Sequence, residues 1–181
     1  MHYQTGKYKS GQDALTKLEY EKVLGAIDNF QDELLIRLTV ATGMRREDIV
    51  GVKVKDINFQ ESYLSFYEHK KRKIHTVYLP ENIILLIQRY LKTIPANQEK
   101  LFDLCSKTAY NHFQSACVIA GVKRRPFHAL RATCIKFCQA NGWSMEQTAT
   151  HVDDTIRVIQ EHYNAPSQAE MKQTTTNKPF A

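Results

Sequence analysis

The sequence predicts a mainly α-helical domain that carries one small antiparallel β-sheet, an α+β arrangement. Apolar residues recur at helical spacing along most of the 181 residues. One stretch, DINFQESYLSFYEHKKRKIHTVYLP (56–80), instead alternates aromatic and β-branched residues with polar ones, the pattern of half-buried strands. Glycines and prolines fall between these stretches, where helices stop and turns begin.

Taken in order, SGQDALTKLEYEKVLGAIDNF (10–30) sets Leu18, Val23, Leu24, Ile27 and Phe30 at helical spacing and predicts a helix from near Leu18. DELLIRLTVATG (32–43) predicts a second, stopped by Gly43 in a left-handed cap. REDIVGVKV (46–54) reads as a short third helix. In the alternating stretch, Tyr63, Phe66 and Tyr67, then Ile74, Thr76 and Tyr78, predict a hairpin or three-stranded sheet with HKKRK (69–73) at its tip and Pro80 as its end. ENIILLIQRYLKTI (81–94) is strongly amphipathic and is closed by Pro95, and TAYNHFQSACVIAGV (108–122) is capped by Gly121. A helix from near His128 runs to Asn141 and Gly142, and SMEQTATHV (144–152) and DTIRVIQEHY (154–163) give two short ones. TTTNKPFA (174–181) is expected to fray. Repeats, low-complexity tracts and Gly/Ser-rich linkers are absent from the sequence.

With 43% hydrophobic and 24% charged residues, the composition is that of an ordinary globular chain, long enough to bury one core. No apolar run approaches the roughly 20 residues of a membrane span. MHYQTGKYKSGQD (1–13) lacks the apolar centre of a signal peptide, so a cytoplasmic location is expected. Cys105, Cys117, Cys134 and Cys138 form no C-x-x-C pair and no zinc-ligand spacing; they are expected to be reduced, mostly buried thiols. The net charge of +6 favours an anionic partner. Its basic clusters make Lys71, Arg72, Lys73, Lys123, Arg124 and Arg125 candidate contacts for such a partner.

Four features bear on chemistry. Arg45 follows a helix-ending glycine and can project from a turn into a cleft, with Asp48 placed one turn later to hold it as a bidentate pair. A lysine on the hairpin tip can reach a bound anion and donate a proton. In FHALRAT (127–133), His128 and Arg131 share a helix face. In QEHYNAP (160–166), Tyr163 closes a helical segment ahead of Pro166. Singly, each also reads as a surface ion pair, a solvated loop or a packing residue. Together they form the set that metal-free phosphoryl transfer to a tyrosine hydroxyl requires. Arginines neutralise the phosphate oxygens, a tyrosine attacks, and a lysine and a histidine handle the protons.

From about Leu18 to Tyr163 the chain resembles the catalytic domain of the tyrosine recombinases, the phage-integrase family. TGMRREDIVGVKVKDIN (42–58) resembles the family's first box, with Arg45 on its arginine and Asp48 on its acidic position. HALRAT (128–133) resembles the second box, H-x-L-R-H-T, which assigns His128 and Arg131. The hairpin before TVYLP (76–80) resembles the family's lysine hairpin and assigns Lys70, with Lys71 or Lys73 as substitutes if the hairpin differs in length. Counting forward from Arg131 lands on Tyr163 as the nucleophile. The family's further histidine or tryptophan falls on Asp154 by gapless counting, or on His151 after a three-residue shift. HYNAPS (162–167) points within the family toward archaeal and archaeal-virus integrases.

The resemblance implies a site-specific DNA recombinase that cuts and rejoins strands through a 3′-phosphotyrosine without metal, ATP or other cofactor. It implies double-stranded DNA as partner, a tetramer on DNA, and a monomer when free. The expected organisation is an N-terminal extension or linker at 1–17, a catalytic domain at 18–166 and a tail at 167–181 exchanged between protomers. A type IB-like topoisomerase, or a DNA-binding relative that no longer cuts, are the rival expectations.

Overall fold

The computed structural model describes residues 10–163, together with Lys172 and Thr176. After a 3-10 turn at Ser10–Asp13, helix α1 (Lys17–Gly25) opens on a capping box. Thr16 accepts from the Glu19 backbone N–H, and the Glu19 carboxylate accepts from the Thr16 N–H. Helix α2 (Phe30–Thr42) starts at Asn29, whose side chain accepts from the Asp32 N–H, and ends at Gly43 with φ of 66°. Leu34, Leu35, Ile36 and Leu38 are all buried, and only a narrow, half-buried edge with the Glu33–Arg37 ion pair faces out, so α2 forms the axis of the domain. Helices α4 (Glu81–Leu91), α5 (Ser106–Ile119) and α6 (His128–Ala140) pack on it.

Between α3 (Arg46–Val50) and α4 lies the sheet: β1 (Ile57–Asn58), β2 (Tyr63–Glu68) and β3 (Lys73–Tyr78), antiparallel in the order β1-β2-β3. Leu64 opposite Val77 and Phe66 opposite His75 face inward, whereas Tyr63–Tyr78, Ser65–Thr76 and Tyr67–Ile74 form the outward pairs. The inward register of β2 thus runs Leu64, Phe66, Glu68 and sinks a carboxylate beneath the hairpin tip. Helices α7 (Met145–His151), opened by a Ser144/Gln147 capping box, and α8 (Ile156–Tyr163) complete a smaller apolar cluster with α6. It holds Cys134, Cys138, Val152, Ile159 and Tyr163.

The order of elements follows the sequence reading closely, with three differences. The first helix ends at Gly25, so Ile27 lies beyond it and Phe30 opens α2 instead. The α4 helix stops at Leu91 rather than near Pro95. Lys92 and Thr93 turn their N–H groups back to the Arg89 and Tyr90 carbonyls, and the Thr93 hydroxyl also donates to Tyr90, tightening the last turn into 3-10 geometry. Residues 10–16 were expected to be extension or linker, but they pack into the domain: Gly11 and Leu15 are buried, and the Leu15 N–H donates to the Thr133 hydroxyl on α6. The expected tail at 167–181 and the NAPS run lie outside the described residues, Lys172 and Thr176 aside. Cys117, Cys134 and Cys138 are buried free thiols, and Cys105 is an exposed one. Among the described residues no helix is long and apolar enough to cross a membrane, and no group of His, Cys, Asp and Glu is arranged to hold a metal ion.

Candidate active site

Arg131 lies one turn into α6 and is 2% exposed. Its Nη1 donates to the Gly43 carbonyl (2.8 Å) and its Nη2 to Asp154 Oδ2 (2.9 Å), while Nε is buried without a partner. Gly43 makes the first contact possible. Its left-handed φ turns the chain sharply out of α2, and a Cβ there would meet Val152 Cγ1 at 2.6 Å. Only glycine lets the α2 terminus approach the end of α7 closely enough to present its carbonyl to the guanidinium.

Arg45 is the residue before α3, and its Nη1 pairs with Glu68, the inward carboxylate of β2. Burial, then the neighbouring Arg131 charge, lower the Arg45 pKa, while Asp154, Asp48 and Asp153 oppose this. The two guanidinium charges are therefore close enough to act on each other. Asp48 was expected to be Arg45's partner. Instead its Oδ1 accepts from the His69 backbone N–H (3.1 Å) and contacts His69 Nδ1 (2.9 Å). Buried beneath the turn that joins β2 to β3, Asp48 ties down the hairpin, and the long-range carboxylate of Glu68 reaches Arg45 in its place.

His128, the first residue of α6, places Nε2 2.7 Å from the Tyr163 hydroxyl. Burial, then the charges of Arg131 and Arg45, lower the imidazole pKa to about 4, with a smaller push from Lys70 and an opposing pull from Asp154. His128 as a whole is exposed, which tempers the burial effect. The charges act regardless, and the ring is neutral at pH 7. Nε2 can then accept the tyrosine proton, with Nδ1 carrying the ring hydrogen. Tyr163 is 3% exposed. Burial raises its pKa, Asp154 adds to this, and the Arg131 and Arg45 guanidiniums pull it the other way.

Lys70 is exposed on the β2–β3 turn, and its charge reaches His128. Its neighbours are otherwise engaged: Lys73 Nζ donates to Asp153 Oδ1 (2.9 Å), and Lys71 Nζ lies 3.3 Å from the same oxygen and donates to the Asp153 carbonyl. Arg72 takes φ of 53° at the turn and is exposed. For the remaining position, the structure brings Asp154 and not His151 to the cluster. Nε2 of His151 bonds the Ala41 carbonyl (2.8 Å), and its ring packs edge-on against Trp143. Of the second basic run, Lys123 and Arg124 are exposed. Arg125 departs from the expectation of a free DNA contact, because its guanidinium is mostly buried against Glu19 at 2.7 Å.

Sequence reasoning missed Glu68, although its place on the inward side of an alternating strand, after Leu64 and Phe66, was a signal for a buried carboxylate with a cationic partner. The Gly43 carbonyl carried no such signal.

A helical body with one hairpin leaning over two guanidiniums, an imidazole and a tyrosine has the fold of tyrosine recombinase catalytic domains. The crystal structure of XerA recombinase superposes with a TM-score of 0.78 at 18% identity, over 93% of this chain and 66% of that one. A lambda integrase tetramer bound to a Holliday junction gives 0.67 at 18%, over 86% and 50%. Residues 13–153 match the phage integrase family, and the chain belongs to that family. The tyrosine recombinase XerA of Saccharolobus solfataricus is 33% identical over 120 residues, which are 66% of this chain and 40% of that protein. The chain spans between 33% and 45% of the length of the curated archaeal relatives it matches.

Proposed function

We propose that this chain is the catalytic domain of a site-specific DNA recombinase that cuts and rejoins strands through a covalent 3′-phosphotyrosine. Arg45 and Arg131 hold the non-bridging oxygens of the scissile phosphate and stabilise the charge that builds on them. Tyr163 Oη attacks phosphorus as its proton passes to His128 Nε2. The P–O5′ bond breaks, and Lys70 protonates the departing 5′-oxygen. Reversal by a 5′-hydroxyl from a second duplex joins the new strands and frees the tyrosine. The ester energy stays in the phosphotyrosine, so the cycle is energetically neutral.

The observation that carries this reading is the 2.7 Å contact between His128 Nε2 and the Tyr163 hydroxyl, beside two guanidiniums whose charges both bear on it. Tyr163 and its base belong to the same chain, which supports delivery of the nucleophile in cis. Asp154 holds the Arg131 fork without substrate and gives way to the phosphate when DNA binds. Double-stranded DNA is the partner, contacted by Lys71, Arg72, Lys73, Lys123 and Arg124 around the site. A tetramer on DNA is the assembly, a reading supported by the similar fold of a lambda integrase tetramer bound to a Holliday junction. The catalytic domain takes in residues 10–163. The test is a nicked suicide DNA substrate carrying the element's attachment sequence. Wild-type protein is expected to accumulate a covalent adduct, while Tyr163→Phe forms none and binds DNA within about twofold of wild type. An adduct that survives this substitution removes the reading.

A further inference from the structure

Tyr163 is the last residue of α8, and a helix end needs an outside support if its side chain is to hold one position. The support here is the chain ahead of α1. Gly11 lies directly on the tyrosine's backbone: a Cβ at residue 11 would come within 2.8 Å of the His162 carbonyl oxygen, 2.9 Å of Tyr163 Cα and 3.4 Å of the Tyr163 carbonyl oxygen. These are backbone atoms, so no side-chain rotation could make room. Four residues later the same segment is pinned to α6. The buried Leu15 N–H donates to Thr133 Oγ1 at 2.8 Å, and that hydroxyl donates to the Ala129 carbonyl at 2.7 Å. Ala14, between the two anchors, packs on the small cluster that contains Tyr163, Ile159 and Cys134. Residues 11–15 therefore bridge the helix that carries His128 and Arg131 and the helix end that carries Tyr163.

We propose that residues 11–15 form a clamp that sets the distance between Tyr163 and its phosphate-binding helix, with Gly11 as the positioning residue. This rests on Tyr163 being the nucleophile and adds what holds it in line. The clamp acts on geometry: Gly11 meets Tyr163 at its backbone, not at its hydroxyl. Opening the Gly11 contact to ordinary van der Waals separation displaces the Tyr163 backbone by roughly half an ångström or more, and misplacement on the order of 1 Å costs about 100-fold in a positioned reaction.

The test compares Gly11→Ala with wild type on the suicide substrate. Adduct formation is expected to slow by about 10–100-fold, with DNA affinity within about threefold. Three further readouts separate positioning from general damage. First, a 5′-bridging phosphorothiolate, whose sulfur leaves without protonation, rescues Lys70→Ala but not Gly11→Ala. Second, the fluorine resonance of 3-fluorotyrosine at position 163 shifts in Gly11→Ala, and its titration moves down toward that of a free phenol as the ring loosens. Third, Thr133→Val removes the α6 anchor without bulk and slows the adduct by a smaller factor in the same direction. If Gly11→Ala does not fold, Thr133→Val decides. Wild-type adduct rates and an unmoved Tyr163 titration in the folded variant overturn the clamp. Absence of an adduct in wild type overturns the assignment of Tyr163 itself and is read separately.

Discussion

Arg131 and Lys70 are the two cations the proposed mechanism draws on most, yet they are held in opposite ways. Arg131 is buried on a helix, with two of its nitrogens fixed by a carbonyl and a carboxylate drawn from two other elements. Lys70 is exposed on a turn and makes no hydrogen bond or ion pair among the described residues. The difference matches the tasks proposed for them. A group that stabilises charge on phosphate oxygens works best when its orientation is set before the reaction, because no reorganisation is then needed. A group that hands over a proton must reach an oxygen that exists only as a leaving group, and a hairpin tip can follow it. The carboxylates show the same division. Glu68 and Asp154 stand against the arginines, while Asp153, at φ of 48°, reaches out to the lysines beside Lys70.

The sharpest way to break this contrast is to remove each cation in turn. Arg131→Ala is expected to lower the rate of adduct formation by about 10³-fold. It also leaves Asp154 Oδ2 and the Gly43 carbonyl without their guanidinium partner, and unfolding by denaturant is expected to show a loss of about 2–4 kcal/mol. Lys70→Ala should cost about 10²-fold or more in rate with an oxygen leaving group, yet leave stability within about 0.5 kcal/mol. Equal stability losses in the two variants would erase the distinction between a built-in and a delivered cation.

His128 sharpens it further through pH. Its folded pKa of about 4 lies below the ordinary value of 6.5, so the folded protein binds fewer protons there than the unfolded chain. The stability tied to the neutral ring is complete above pH 6.5 and is lost as pH falls toward 4. A bound phosphate favours the imidazolium, so imidazole NMR titration is expected to give a higher pKa in the DNA complex than in free protein. An unshifted value would place the phosphate away from His128. The smallest effect is expected from Asp153→Asn, which keeps a side chain tolerant of positive φ while releasing Lys71 and Lys73. DNA affinity should rise a few-fold at low salt, and the log–log salt dependence should steepen by about 1–2. No change in slope would mean that the lysines remain on the loop when DNA binds.

What could be read from the sequence divides along similar lines. His128 and Arg131 lie within one helical turn, and the α6 register carried their relation directly. The α4 stripe of Ile83, Ile84, Ile87 and Tyr90 was equally plain, because one helix face holds the whole pattern. Partners across the fold were not legible. Asp48 is near Arg45 in sequence, but proximity of that kind lost to Glu68, which the inward register of β2 delivers from twenty-three residues away. Asp154 in place of a histidine looked like a liability beside a phosphate. Its meaning appears only once the Arg131 fork is seen between it and Gly43. That Asp153 would take up Lys71 and Lys73 but not Lys70 was likewise not legible from the hairpin sequence.

The central claim, that distant side chains converge so that one tyrosine of this chain takes over a DNA strand, is tested most directly by finding the bond. Protein trapped on suicide DNA, digested with protease and nuclease and sequenced by tandem mass spectrometry, should carry a 3′-linked nucleotide on the Tyr163 oxygen. A nucleotide on any other side chain, or a trapped complex with no covalent linkage, would contradict it.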